Sequence, residues 1–165
     1  MIFVTVGTHE QAFDRLLKKM DELKESGKLK DDVFIQTGYS DYTPRFCEYK
    51  NMIGFDEMYH MTSEADIVIT HGGPGSIMLP MSMNKKPIVV PRQHKFGEHV
   101  DDHQVLFSKR LEEENKILAV IDIEDIEEYI FNYDKYKGNN VALDSNLPSF
   151  IKRLDEITDS LMNNI

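Results

Sequence analysis

Residues 67–76 read Ile67-Val68-Ile69-Thr70-His71-Gly72-Gly73-Pro74-Gly75-Ser76. A short apolar run without alternation is a strand covered on both faces. The glycine-rich segment that ends it, His71 to Gly75, leads into a helical pattern over Ser76–Asn84. Working outward, the same unit recurs. Ile2-Phe3-Val4-Thr5-Val6 is a strand ended by Gly7. Thr8 and Gln11 have capping-box spacing and predict a helix start there. Phe13, Leu16, Leu17, Met20 and Leu23 continue on one helical face, and Gly27 stops it. Val33–Thr37 is a strand ended by Gly38. The stretch 39–49, with Pro44, reads as a long loop leading to a short strand near 51–53. Helical patterns follow at 55–65, 100–114 and 123–133, with strands at 88–90 and 117–121. A last amphipathic helix is predicted over about 148–163.

Strands alternating with helices imply parallel pairing, because a crossover that holds a helix returns the chain in the same direction. The expected fold is α/β: a doubly wound, mostly parallel, Rossmann-like sheet of about six strands, in one domain over residues 1–165. Ligands of such sheets sit beyond the carboxyl ends of the strands. The loops there are 7–9, 38–40, 71–76 and 92–103, and they hold most of the unusual residues.

The 165 residues are 41% apolar and 29% charged, as in a soluble globular chain. With 29 acidic and 19 basic side chains the formal charge is −10, which argues against a nucleic-acid partner. The single cysteine, Cys47, permits no internal disulfide and no Cys-based zinc site. The opening MIFVTVGTHE has no basic region before an apolar stretch, and no run approaches the ~20 residues of a bilayer span, so a cytoplasmic location is expected.

Three constellations could carry chemistry. In His71-Gly72-Gly73-Pro74-Gly75-Ser76 the glycines let the backbone approach a ligand, and a helix start exposes free N–H groups that suit a phosphate or diphosphate. The competing reading is a turn that merely needs glycine. The segment is neither GxGxxG nor a P-loop. Gly7, Thr8 and His9 form a second glycine turn able to cover the other side of the same diphosphate. Glu98-His99-Val100-Asp101-Asp102-His103-Gln104 is the third. If helical, it places His99 and His103 on one face. A metal pair, a solvated helix start and hydrogen bonding to a sugar all remain open for it. Lys85, Lys86, Arg92 and Lys95 form one local basic cluster, read as a solvated face or an attraction for anions.

Taken together, FVTVGTHEQAFDRL, IQTG, ADIVITHGGPGSI and PIVVPRQHKFGEHVDDHQ resemble the carboxy-terminal half of family 28 glycosyltransferases, the family of MurG. The closest likeness is to the soluble PssE/EpsF-type subunits of two-chain polysaccharide glycosyltransferases. The resemblance implies the donor-binding half of a GT-B fold and a UDP-sugar donor. It places the diphosphate at Gly7, Thr8, His71, Gly72, Gly73, Pro74, Gly75 and Ser76. It places the donor sugar at Glu98, Asp102, His103 and Gln104. It implies inverting transfer to a lipid-linked acceptor in exopolysaccharide or capsule synthesis, without metal or other cofactor. A membrane-anchored partner chain would bind the acceptor, supply the main base and draw this chain to the inner membrane face. His9 is the candidate catalytic helper on this side. A non-catalytic stabilising subunit is the alternative. Many relatives carry an acidic residue for ribose eight positions after the motif histidine, where this chain has Leu79.

Overall fold

The computed structural model describes residues 1–138 and, beyond them, 152, 153, 156, 157, 159 and 160. Six parallel strands form one sheet: β1 (Ile2–Thr5), β2 (Val33–Gln36), β3 (Glu48–Lys50), β4 (Ile67–Thr70), β5 (Ile88–Val89) and β6 (Leu118–Ala119), in the order β3-β2-β1-β4-β5-β6. This is the Rossmann order, with its switch point between β1 and β4. Helices α1 (Asp14–Glu25), α2 (Phe55–Glu64), α3 (Pro74–Ser82), α4 (His103–Glu113), α5 (Ile126–Phe131) and α6 (Tyr133–Lys137) cover it.

Strand periodicity decides which helix lies on which face. Ile2, Val4, Ile67, Ile69, Ile88 and Leu118 point to one side, where they pack with Leu16, Leu17 and Met20 of α1 and with Ile126 and Ile130 of α5. Their neighbours point to the other. Val89 and Ala119 meet Ile77 and Met81 of α3 and Phe107 and Leu111 of α4. Phe3 and Val68 meet Met58 and Met61 of α2. A strand buried on both faces has no polar positions to alternate with, so these runs are continuously apolar. Each fully buried Leu or Ile contributes ~1.5–3 kcal/mol. Among the described residues no helix is long and apolar enough to cross a membrane.

Several local expectations are corrected. Thr8 and Gln11 do not cap a helix. Helix α1 begins at Asp14 after an N-cap residue, Phe13, that makes no side-chain cap bond. The His9 ring instead meets Gln11 Oε1 at 3.0 Å, and the Gln11 carbonyl is held by Arg92. Residues 98–102 are not helical. Asp101 Oδ1 accepts the His103 amide, and Asp102 Oδ1 accepts the His94 amide. His99 therefore lies outside α4 and shares no helical face with His103. The third strand lies at 48–50 rather than 51–53, and the helix expected over 123–133 is a 3-10 turn followed by α5. The basic cluster is dispersed. Lys85 Nζ donates to the Ser63 and Ala65 carbonyls at the end of α2, Lys86 Nζ to Asn115, and Arg92 is buried. Of the expected helix over about 148–163, residues 152, 153, 156, 157, 159 and 160 are helical, and the rest lies outside the described residues.

The loop after β2 is ordered by carboxylates of α1. Asp14 Oδ1 accepts the amides of Asp41 and Tyr42. Asp21, fully buried, accepts the Tyr42 hydroxyl at 2.7 Å and the amides of Arg45, Phe46 and Cys47 at 2.9, 2.8 and 3.1 Å. Burial alone would raise the Asp21 pKa, but the Arg45, Phe46 and Cys47 amides and the Tyr42 hydroxyl together outweigh it and hold the pKa below the ordinary 3.8. Asp21→Asn, which turns an N–H toward these donors, should destabilise the fold by ~3 kcal/mol. A depressed carboxyl stabilises above its unfolded pKa and loses that contribution as pH falls through the folded one. Urea denaturation followed by circular dichroism should therefore show the variant weaker at pH 7 and less sensitive to acid below pH 3.8.

Candidate functional site

The carboxyl ends of β1 and β4 open into a cleft of about 740 Å³. One wall is Gly7, Thr8, His9 and Glu10 after β1. The other is His71, Gly73, Pro74, Gly75 and Ser76 after β4, with Met58 of α2 beside it and His99 and Gln104 closing the far side. Pro74 occupies the first turn of α3 without needing a donor, and the Ile77 amide is the first to reach back, to the Gly73 carbonyl. The amides of Gly75 and Ser76 are left without an intrahelical carbonyl, at the positive end of the helix.

The imidazole of His71 forms the floor. A Cβ on Gly7 would lie 2.4 Å from His71 Nε2, and one on Gly73 2.3 Å from its Cε1. Gly7 also has a φ of +74°. Two of the motif glycines thus make room for this ring. A third, Gly72, makes room for Gln104, whose Cβ would be 2.7 Å away. Only at Gly75 in this loop would a Cβ meet nothing within 4 Å.

The hydrogen bonds fix the polarity of the floor. The Gly73 amide donates to His71 Nδ1 at 3.1 Å, so that nitrogen carries no proton and the other does. His71 Nε2–H then donates to Ser76 Oγ at 3.0 Å, leaving the serine hydroxyl free to donate into the cleft. Burial, reinforced by the Arg92 charge, pushes the His71 pKa down to about 3. Gln104 is fixed too: its Oε1 accepts the amides of Gly72 at 3.0 Å and Arg92 at 3.1 Å, and its Nε2 lies 3.5 Å from His71 Nδ1. Its amide nitrogen is a donor at the cleft wall.

Of the residues expected from sequence, Gly7, Thr8, His9, His71, Gly73, Pro74, Gly75, Ser76 and Gln104 come together in the cleft. Gly72 lies behind them. Glu98 does not join them: its carboxylate is buried against Arg15 at 2.9 and 3.0 Å and accepts the Gln93 amide. Asp102 accepts the His94 amide on the outside. His103 stands at the start of α4 with both ring nitrogens buried and without a partner. Among the described residues no three metal-ligating side chains converge.

Sequence reasoning missed an apolar pocket of about 400 Å³ that shares Met58, Gly75 and Ser76 with the cleft. Phe55, Thr62, Val68, Met78 and Leu79 complete most of its wall. Phe55, 73% exposed at the start of α2, was the available signal, because helical periodicity gives a solvent-facing phenylalanine no structural reason.

The polarity of the floor is testable. Long-range ¹H–¹⁵N spectra should show His71 protonated at Nε2 only, with no inflection between pH 5 and 8. Below pH 6.5 the unfolded chain binds a proton that folded His71 refuses, so this histidine makes stability fall as pH falls through that range.

The chain matches the glycosyltransferase family 28 C-terminal domain over residues 1–156. Among curated protein sequences none matches. Of solved structures, the glycotransferase of kitacinnamycin superimposes with a TM-score of 0.57 at 15% identity, over 98% of this chain and 39% of that one. MurG of Acinetobacter baumannii gives 0.54 at 17% identity, over 81% of this chain and 41% of that one. SnogD of Streptomyces nogalater gives 0.52 at 16%, over 97% and 39%. The chain thus spans about two-fifths of the length of these enzymes, and the likeness shows a shared Rossmann-like fold of the kind found in GT-B glycosyltransferases. Because the family match runs through nearly the whole sequence, the chain belongs to the glycosyltransferase family 28 C-terminal domain family.

Proposed function

We propose that this chain binds a UDP-sugar and presents it for inverting transfer, as the donor half of a two-chain glycosyltransferase whose other chain binds a lipid-linked acceptor at the membrane. One observation carries the reading. A cleft lined by free amides and neutral donors runs into an apolar pocket across the shared wall of Gly75, Ser76 and Met58. A nucleoside diphosphate has that sequence of parts: an anionic diphosphate beside a flat, largely apolar base.

In this reading the Gly75 and Ser76 amides and the Ser76 hydroxyl hold the diphosphate and meet the charge that develops on UDP as the sugar departs. Thr8 and Gly7 cover its other side. No cofactor takes part. The base sits between Phe55 and Met58, and Leu79 in that pocket leaves ribose to neutral donors rather than a carboxylate. His103 and Gln104 are the sugar contacts, whereas Asp102, engaged by the His94 amide on the outside, and Glu98, the buried partner of Arg15, are not. The acceptor hydroxyl loses its proton to a base on the partner chain, which also supplies the membrane anchor and the second wall.

Gly75→Val is the sharpest test. A Cβ at this position meets no protein atom within 4 Å, so the variant should fold and melt close to the parent while filling the space the diphosphate needs. UDP binding should fall at least a hundredfold by calorimetry. Unchanged affinity in the folded variant would remove the α3 start from the site.

His103→Ala should leave UDP affinity intact and weaken UDP-sugar binding about fivefold, the worth of one hydrogen bond to a sugar hydroxyl. Equal losses for both ligands would place His103 in the frame instead. The purified 165-residue chain should transfer no sugar until the anchored partner chain is added, because an open single wall neither excludes water nor orients an acceptor. Transfer by this chain alone at the rate of the mixture would end the two-chain reading.

A further inference from the structure

The cleft that would receive a dianionic diphosphate contains, among the described residues that line it, no lysine and no arginine. The two nearby guanidinium groups are engaged elsewhere. Arg92 donates to the Val6, Gln11 and Glu98 carbonyls, and Arg15 to the Glu98 carboxylate and the Pro91 carbonyl. The one carboxylate of the lining, Glu10, has the wrong sign. Three histidines remain. His71 is held neutral by burial and by the Gly73 amide, and is unavailable as a cation.

His9 and His99 differ from it. They come from separate loops, both line the cleft, and their rings stack with centroids 4.8 Å apart and planes 23° from parallel. Each ring is anchored on its outer side: His9 Nε2 meets Gln11 Oε1 at 3.0 Å, and His99 Nδ1 meets Asp101 Oδ1 at 3.1 Å. The other nitrogens, His9 Nδ1 and His99 Nε2, have no partner among the described residues. The charged and titratable groups around the pair are Asp101 on the same loop, Arg92 beneath, His71 across the cleft and Glu10 on its rim. Glu98, next to His99 in the chain, turns its carboxylate to Arg15. Burial, opposed by Asp101 and aided by His9 and Arg92, holds the His99 pKa below its ordinary value, so the ring is neutral at pH 7 in the empty cleft. The rings stack closely enough that two positive charges there would repel each other.

We propose that the stacked His9–His99 pair is the counter-charge of the cleft and takes up one proton from solvent when a diphosphate enters. The proposal rests on the cleft being the diphosphate site. An anion near the free ring nitrogens favours the imidazolium form, and the proton returns to solvent when the ligand leaves. By linkage, a group whose pKa rises on binding makes affinity increase as pH falls through its bound-state value. Affinity levels off below its free-state value. Donor affinity thereby becomes pH-dependent around neutrality although the ligand itself does not titrate there.

The test uses UDP-glucose and UDP-N-acetylglucosamine, whose diphosphate diester carries no titrating proton between pH 5.5 and 8. Each is titrated calorimetrically into the full chain in PIPES and in Bis-Tris, whose ionisation enthalpies differ. Binding about tenfold tighter at pH 5.5 than at pH 8, with uptake approaching one proton near pH 7, is expected. His99 ring resonances should titrate at higher pH in the complex than in the free chain, a readout that needs no variant. The double variant His9→Gln, His99→Gln should bind with the weaker, high-pH affinity of the parent at every pH. Binding with the same affinity at all pH values and no proton uptake would overturn the proposal while leaving the nucleotide reading intact. A pH dependence that persisted in the double variant would also overturn it. No binding of either nucleotide sugar at any pH would overturn both.

Discussion

Arg92 Nη2 donates to the Val6 carbonyl at 2.7 Å, and Nη1 donates to the carbonyls of Gln11 at 2.6 Å and Glu98 at 3.2 Å. The guanidinium lies over the Phe13 ring and is almost wholly buried. A charge in such a place is costly unless its donors are satisfied. Here three backbone oxygens from three segments engage both Nη groups, leaving only Nε without a partner among the described residues, and those segments are the end of β1, the approach to α1 and the loop before α4. The same residue's amide donates to Gln104 Oε1, which also takes the Gly72 amide. One side chain and its own backbone therefore tie every loop that walls the cleft to the others. Glu98 extends the tie, because its carbonyl takes Arg92 while its carboxylate takes Arg15 of α1. The loops after β1 and β5 have little secondary structure of their own, and this network replaces it.

That network explains what was and was not legible in the sequence. Ile2–Thr5, Ile67–Thr70 and the helices between them follow from apolar spacing, since hydrophobic periodicity is a local property and the doubly wound sheet is its consequence. The turns at Gly7 and His71–Ser76 could be placed for the same reason. Arg92 could not be read. In sequence it stands near Lys85, Lys86 and Lys95 and belongs with them as surface charge, because nothing local tells a buried guanidinium from a solvated one. The failed helix starts at Thr8 and Val100 have the same origin. Capping spacing is present at Thr8, but Arg92 holds the Gln11 carbonyl and His9 engages the Gln11 side chain. Asp101 and Asp102 cap neighbouring amides from a non-helical turn instead of entering the first turn of α4.

The glycines show how the folded chain gives residues a task that their local sequence does not announce. A glycine-rich loop before a helix reads as space for a ligand. In the folded chain Gly7 and Gly73 make space for the His71 ring and Gly72 for Gln104, while Gly75 alone faces open volume. The donors facing the cleft come from what the packed ring does: it takes a proton-donor role toward Ser76 and frees the serine hydroxyl. Packing and function are here the same contact, so removing one glycine would move the donor as well as the backbone. The apolar pocket beside it was illegible because its wall joins α2 and α3, which meet only through the fold.

In the proposed reading a chain of net charge −10 receives an anion, which requires attraction at short range. At physiological ionic strength the Debye length is about 8 Å, so distant carboxylates are largely screened while groups in direct contact are not. The cleft is built for this regime. Its donors are backbone amides of a helix start, a serine hydroxyl, a fixed carboxamide and imidazoles, all within reach of one ligand. None brings a permanent charge that would have to be desolvated when the cleft is empty. Fixed dipoles need no reorganisation when charge develops on a leaving group, and neutral donors do not hold the more highly charged diphosphate product as tightly as a lysine or arginine would. A site of this composition binds by geometry more than by net charge, and it depends on the Arg92 network to keep the donors pointed at one place.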